Sequence, residues 1–294
     1  KERALKLVFI SLFAVQWICL AFAIARPALA HGAFGEFRGT FHHKNTFGAL
    51  MAIQMISAMA LFLNGWRRWL VSVGFVVSGL LLLQSRSGTA IAALVIPTLI
   101  LCLVGLSRKA RRGVDFVIGL ALIASSAGAL YVLGDSTDLV GAALDYLGKD
   151  RTLTGRTLLW QLGIDAWDTH PLLGLGFKGF WEGSPGRVAY LRYISGQPLW
   201  FFHNNYIEVA VALGYLGLLL FLVSLAVFLW RTMRAVVAKP DGATAWSFAT
   251  MVFMIIYAMA ENPLFDNHSY FHILLAIVIS GTTTTRPAAN SPGC

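Results

Sequence analysis

The feature that most constrains this chain is a series of long apolar runs separated by short charged connections. The clearest runs from Tyr206 to Trp230 and is interrupted only by Glu208 and Ser224. As a helix, about 25 residues cross a hydrocarbon core roughly 30 Å thick. Backbone groups in lipid must satisfy one another, and runs of this length do so as helices. About eight spans are expected, at roughly 4–25, 46–63, 67–83, 89–106, 114–133, 205–230, 244–262 and 270–284. The last runs into Thr282-Thr283-Thr284-Thr285 and is short enough to be a re-entrant segment. The predicted class is an all-α polytopic membrane protein, one membrane domain over residues 1–294, with a large loop at 134–204.

Composition excludes the alternatives. With 57% hydrophobic and 13% charged residues, the chain departs from soluble domains, whose charged fraction is about a quarter. The net charge of +9 could suit nucleic acid, but the basic residues are dispersed between apolar spans. That is the pattern of membrane charge asymmetry, so membrane lipid and lipid phosphate are the expected partners and nucleic acid is not. The chain begins at Lys1 without a cleavable signal pattern and is read as a fragment lacking N-terminal helices. Cys19 and Cys102 lie within apolar spans and Cys294 ends the tail, so neither a disulfide framework nor a metal-type cysteine spacing is present.

Arg67-Arg68, Arg108-Lys109 with Arg111-Arg112, and Arg231, Arg234 and Lys239 fall on alternate connections, which the positive-inside rule assigns to the cytoplasm. Segments 26–45, 84–88, 134–204 and 263–269 then face the other side, and with them His42, His43, Arg86, Arg156, His203 and His268. In a bacterial inner membrane that side is the periplasm.

Several residues there suit chemistry. His203-Asn204 heads the long sixth span. On a continuous helix Gly214 falls within about 20° of His203, with Gly217 on nearly the same stripe. That stripe fits a groove for a lipid substrate, or a small-residue face for helix packing. Arg86, in Gln84-Ser85-Arg86-Ser87-Gly88-Thr89, must sit at the membrane boundary, as a functional arginine or one that snorkels. Thr154 is a candidate N-cap for an amphipathic helix through Trp167, stopped by His170-Pro171, with its apolar residues on the membrane surface. Arg156 in its first turn opposes the helix dipole, a conflict an anionic ligand would relieve. His43, Lys44 and Asn45 precede the second span, where capping and snorkelling are the simplest uses. Asp135, Asp138, Asp145 and Asp150 read as solvated loop, and so do Asp165 and Asp168. Glu208 lies inside a span and needs a partner that the sequence does not identify.

His203-Asn204, nine residues, then Gly214-x-x-Gly217 resembles the His-(Asn/Ser/Gln)-x9-Gly-x-x-(Gly/Thr/Tyr) pattern of bacterial O-antigen ligases and the related O-antigen and exopolysaccharide polymerases. Thr40-Phe41-His42-His43-Lys44-Asn45, Ser85-Arg86-Ser87-Gly88, Thr154-Gly155-Arg156-Thr157 with Trp160, His170-Pro171-Leu172-Leu173-Gly174-Leu175-Gly176, and Glu261 before Leu264 are similar to stretches of that superfamily, in the expected order. The resemblance implies a GT-C-like, metal-independent, inverting glycosyltransferase in the inner membrane that uses no cofactor. Its donor would be an undecaprenyl-pyrophosphate-linked glycan, and its acceptor a second glycan or lipid A-core. It implies His203 as general base and Arg86 and Arg156 as pyrophosphate ligands. His43, Lys44, Asn45, Asn204, Gly214, Gly217 and Glu261 would support or bind substrate. His42-His43-Lys44-Asn45 favours exopolysaccharide polymerase over O-antigen ligase. A transporter of lipid-linked glycans or anions is the alternative of another class, but no internal repeat is visible and the polar residues collect on one side.

Overall fold

The computed structural model describes residues 1–32, 35–109, 156–183, 185–195, 199–265 and 269–280. Among them the helices are α1 (Glu2–Ala25), α2 (Pro27–Ala30), α3 (Lys44–Leu63), α4 (Arg68–Gln84), α5 (Gly88–Lys109), α6 (Arg156–Thr169), α7 (Gly179–Gly183), α8 (Pro185–Ser195), α9 (Asn205–Ala238), α10 (Gly242–Tyr257) and α11 (Tyr270–Ser280). Of these, α1, α3, α5 and α9 are long and apolar enough to cross a membrane, and α4, α10 and α11 are shorter apolar helices. Seven of the expected spans thus have a helix, and the span at 114–133 lies outside the described residues. The protein is an all-α polytopic membrane protein.

The bundle is built around α3, which packs against α1, α4, α5 and α10. Its residues from Phe47 to Ile53 are all buried. By contrast α4 and α9 leave Val73, Val76, Leu80, Leu219, Leu220 and Val223 exposed, as lipid-facing surfaces require. Two hydrogen bonds fix the antiparallel register of α3 and α10. Tyr257 Oη donates to the Asn45 carbonyl at 3.0 Å, and Trp246 Nε1 donates to Ser57 Oγ at 3.0 Å. These lie 12 residues apart on α3 and 11 on α10 (57 − 45 and 257 − 246), or about 17 Å along each axis. At the Ser57 end, Gly242 N donates to Asn64 Oδ1 at 2.8 Å, and Asp241 closes a capping box with Thr244. At the Asn45 end stand the starts of α3, α5, α6 and α9 and the end of α10.

A second, smaller core lies beside the bundle. Leu159 and Ala166 of α6 pack with Phe180, Trp181, Leu191 and Phe202. The apolar face of α6 is therefore partly covered by protein rather than laid wholly on the membrane surface. A Cβ on Gly163 would overlap Ile207 and crowd Phe202, so this glycine permits the close approach of α6 to α9.

The structure corrects the expectation of a smooth sixth span. α9 is broken at Gly214, where φ is 66° and ψ is −165°, and the segment His170–Gly176 occupies the break. Leu175 N donates to the Val211 carbonyl at 2.8 Å and Gly176 N to that of Ala212 at 2.9 Å; Tyr215 N donates to Pro171 O at 2.7 Å and Leu216 N to Leu172 O at 3.3 Å. In an unbroken helix the carbonyls of Val211 and Ala212 would accept from residues 215 and 216. The incoming segment takes over both sides of that ladder. Non-helical backbone at membrane depth is tolerated when it is enclosed in this way. A Cβ at Gly214 would collide with the Leu172 backbone, and one at Gly174 with that of Ala212. At Gly217 an added Cβ would collide with the Leu213 side chain. The His203–Gly214–Gly217 stripe assumed a continuous helix and is absent, because the Leu172 backbone fills the place at Gly214 and the Leu213 side chain the place at Gly217.

Gly214→Ala is accordingly expected to destabilise the protein. The backbone conformation is nearly glycine-only, costing a substituted residue about 1–3 kcal/mol before the collision with Leu172 is added. Thermal unfolding in detergent should show a lower midpoint, whereas Gly183→Ala, where an added Cβ meets nothing, should leave it unchanged.

Candidate active site

Five separated stretches meet at the Asn45 end of the bundle. α3 starts there because His43 acts as its N-cap, Nδ1 accepting from Asn45 N at 3.2 Å. That bond uses the Nδ1 lone pair, so the neutral His43 ring carries its proton on Nε2. The α4–α5 turn presses against α3 where Gly48 lacks a side chain, since a Cβ there would overlap Ser87. Ser87 Oγ donates to Asn45 Oδ1 at 3.0 Å, and Ser85 Oγ accepts from Ser87 N at 3.2 Å.

α9 starts at Asn204, whose side chain accepts from Tyr206 N at 3.0 Å and Ile207 N at 3.2 Å. His203, just before it, has φ 52°, a left-handed conformation that costs a residue with a side chain about 1–2 kcal/mol. Its neighbours hold it there. Phe202 N donates to Glu208 Oε2 at 2.9 Å, and Asn205 N donates to the Ala258 carbonyl at 2.9 Å. Trp181 Nε1 donates to Glu208 Oε1 at 2.8 Å, so an indole and a backbone amide are among the partners of Glu208. A non-glycine residue held against its preference is common at functional sites.

Glu261, after α10, joins these pieces. Its Oε1 accepts from Arg156 at 2.6 Å and from Asn45 Nδ2 at 2.5 Å, and its Oε2 lies 3.2 Å from His203 Nδ1. Arg156 also donates to Thr89 Oγ1 at 3.4 Å. Glu261 is 5% exposed and Arg156 8%, so the pair is a buried ion pair whose remaining valences are filled by hydrogen bonds. Burial alone would raise the pKa of the Glu261 carboxyl. The hydrogen bond and charge of His203, then the charges of Arg156 and His43, outweigh it and hold the group at about 2. The His43 ring is exposed, yet the protein around it displaces enough water to lower its pKa, with Glu261 acting the other way. Its centroid is 6.4 Å from that of His203, and Phe201 lies over His203 at 4.5 Å.

The arrangement sets the tautomer of His203. An ionised carboxylate only accepts, so Nδ1 carries the hydrogen and Nε2 of the neutral ring keeps its lone pair. The guanidinium of Arg156 has five N–H donors and retains some beyond its bonds to Glu261 and Thr89. Arg86 is placed differently, exposed on the α4–α5 turn with φ 50°. Lys44 is half-buried in the first turn of α3, and the Asn204 amide is used as a cap. His268, Thr154, Asp135, Asp138, Asp145 and Asp150 lie outside the described residues. Among the described residues no group of three or more His, Cys, Asp or Glu side chains could hold a metal ion. Sequence reasoning missed Ser87, Thr89 and Tyr257. The first two lie in the quoted Ser85–Thr89 stretch, where the arginine drew attention away from the hydroxyls.

These features define a polytopic helical membrane protein with a buried Arg–Glu–His group opening at one end of the bundle. Its sequence matches the O-antigen ligase family over residues 71–222, more than half its length, and the chain belongs to that family. It is also 29% identical over 264 residues to the exopolysaccharide production protein ExoQ of Rhizobium meliloti (strain 1021), covering 85% of this chain and 59% of that protein. The chain thus spans less than two thirds of that relative. The family match includes Arg86, Arg156, His203, Gly214 and Gly217, while Asn45 and Glu261 lie outside it.

Proposed function

We propose that the protein transfers glycan from an undecaprenyl-pyrophosphate carrier to a sugar hydroxyl at the periplasmic face of the bacterial inner membrane, acting as a polysaccharide polymerase. The observation that carries this reading is the His203–Glu261 contact at 3.2 Å, which leaves His203 Nε2 as an oriented base. The acceptor O–H proton passes to Nε2 while its oxygen attacks the anomeric carbon. The bond from that carbon to the pyrophosphate oxygen breaks, inverting the centre. Undecaprenyl pyrophosphate leaves with the bonding pair, its new charge stabilised by Arg156 and Arg86. His43, with its proton on Nε2, can donate to a substrate oxygen beside His203. Arginines at the phosphate fit a mechanism that takes no metal or other cofactor.

The polymerase reading is favoured by the resemblance of His42-His43-Lys44-Asn45 to exopolysaccharide polymerases and by the name of the Rhizobium relative. The family's own description favours a second reading, an O-antigen ligase with lipid A-core as acceptor. Glycan profiling of a deletion strain separates them. Loss of long polymer supports polymerase; polymer that persists but is absent from lipid A supports ligase. Unchanged polymer with normal attachment overturns both.

Arg156→Lys and Arg86→Lys are each expected to lower turnover by about 10²-fold or more, because an ammonium cannot reproduce the bidentate fork. They should differ in stability. Arg156→Lys removes part of a buried network and should lower the unfolding midpoint; Arg86→Lys, at an exposed turn, should not. Near-normal turnover in either variant would remove that arginine from the phosphate site.

A further inference from the structure

Beside His203 lies a cavity of about 240 Å³ that the chemistry above does not use. Phe177, Lys178, Trp200, Phe201, Glu208 and Asn262 line it, and Phe265 completes the wall. It adjoins the reacting centre twice over: Phe201 covers the His203 ring, and Asn262 directly follows Glu261.

Its chemistry is mixed in a specific way. Trp200 is 60% exposed, and Arg192 stacks on its ring at 4.1 Å, which steadies a large aromatic surface that covers no core. Phe177 meets Phe265 edge to face at 5.4 Å. Between these aromatic walls stand an ammonium, a carboxylate and an amide. Asn262 is 9% exposed, and its Oδ1 is buried with no hydrogen-bond partner among the described residues. A buried amide oxygen without a donor is unfavourable, and a sugar hydroxyl donating to it would remove that penalty. Both oxygens of Glu208 accept, from Trp181 and Phe202, so this carboxylate is a fixed part of the wall. The Lys178 ammonium is a donor only.

We infer that this cavity is the acceptor subsite, holding the terminal sugar ring of the acceptor glycan so that one hydroxyl reaches His203. The inference rests on the glycan-transfer reading and names where the acceptor sits. A neutral polyol fits the lining better than a phosphate does. Its hydroxyls pair with Lys178 and Asn262, and its C–H face lies on the electron-rich aromatic faces. A phosphate would meet the Glu208 carboxylate. The volume is below the roughly 300–1,000 Å³ of sites for drug-sized ligands, which limits occupancy to about one sugar ring and leaves the rest of the glycan outside.

The test uses the full-length protein in lipid nanodiscs, free of glycosidic detergent, with methyl glycosides of glucose and galactose as probes read by saturation-transfer NMR. At least one probe should bind wild type. Asn262→Ala and Trp200→Ala should each weaken that binding about tenfold, the loss of one hydrogen bond or contact, while Gly183→Ala, where an added Cβ meets nothing, leaves it intact. Trp200 is largely exposed, so its variant remains informative even if Asn262→Ala fails to fold. Binding by neither probe, or binding that survives both substitutions, overturns the subsite. The transfer reading is checked separately by polymer formation in cells expressing His203→Ala. Full polymer there would defeat that reading whatever the probes do.

Discussion

Replacement of His203 by alanine is expected to lower glycan transfer by about 10²–10⁴-fold, the usual contribution of a positioned general base, while donor binding persists. Removing the base leaves Arg156 and Glu261 paired, so the phosphate site survives. The wild-type rate should fall on the acid side, because a base must be unprotonated to accept the acceptor's proton. Glu261 cannot be the source of that limb. With its carboxyl held at about 2, it stays ionised wherever the assay can be run. Glu208 is the rival base, but its carboxylate holds Trp181 and the Phe202 amide and acts on the backbone that presents His203. Reconstituted enzyme with a defined lipid-linked donor would decide the matter. Unchanged turnover and pH profile in the alanine variant, or a loss confined to donor affinity, would remove the general-base assignment.

Much of the fold was legible in the sequence because the bilayer imposes long, simple signals. The apolar runs gave helices within a few residues of the expected ends, as at Glu2–Ala25, Lys44–Leu63 and Gly88–Lys109. Alternation of the basic connections also grouped Asn45, Arg156 and His203 at one end of the bundle, where the structure has them together with Glu261. What joins them was not legible. Glu261 bonds residues 216, 105 and 58 positions away in the chain, and no local pattern encodes such pairings. The break in α9 was hidden for another reason. Apolar residues flank Gly214 on both sides, so periodicity runs through it, and the helical-wheel argument from His203 assumed a helix that neither residue's backbone continues. The signal that could have exposed the break lay in two glycines, Gly174 after His170-Pro171 and Gly214 in the span. Each is needed because backbone lies against it, that of Ala212 and Leu213 at Gly174 and that of Leu172 and Leu173 at Gly214.

Glu261→Gln should do almost as much damage as loss of the histidine, although it changes no size. The carboxylate accepts on both oxygens, from Arg156 and Asn45 on one and from His203 on the other. An amide cannot. If its NH₂ faces His203, Nδ1 must become the acceptor, and the proton moves to Nε2, the atom that should receive the acceptor's proton. If its NH₂ faces the other way, it meets the donors of Arg156 and Asn45. Either orientation predicts a loss of about 10²–10⁴-fold in turnover, as expected when a base is left in the wrong tautomer. Glu261→Asp keeps the charge and should recover part of the rate, which a purely steric role would not predict. Stability carries a second signature. Removing one member of a buried ion pair costs about 3–5 kcal/mol, and in wild type that contribution depends on pH. The folded carboxyl titrates at about 2, below its ordinary value of 4.5. Its stabilisation is therefore fully present above about 4.5 and is lost as pH falls toward 2. Unfolding midpoints measured between pH 7 and about 3 should decline for wild type and show less of that decline in Glu261→Gln. An identical decline in both proteins, together with near-normal turnover in the glutamine variant, would show that Glu261 neither orients His203 nor neutralises Arg156.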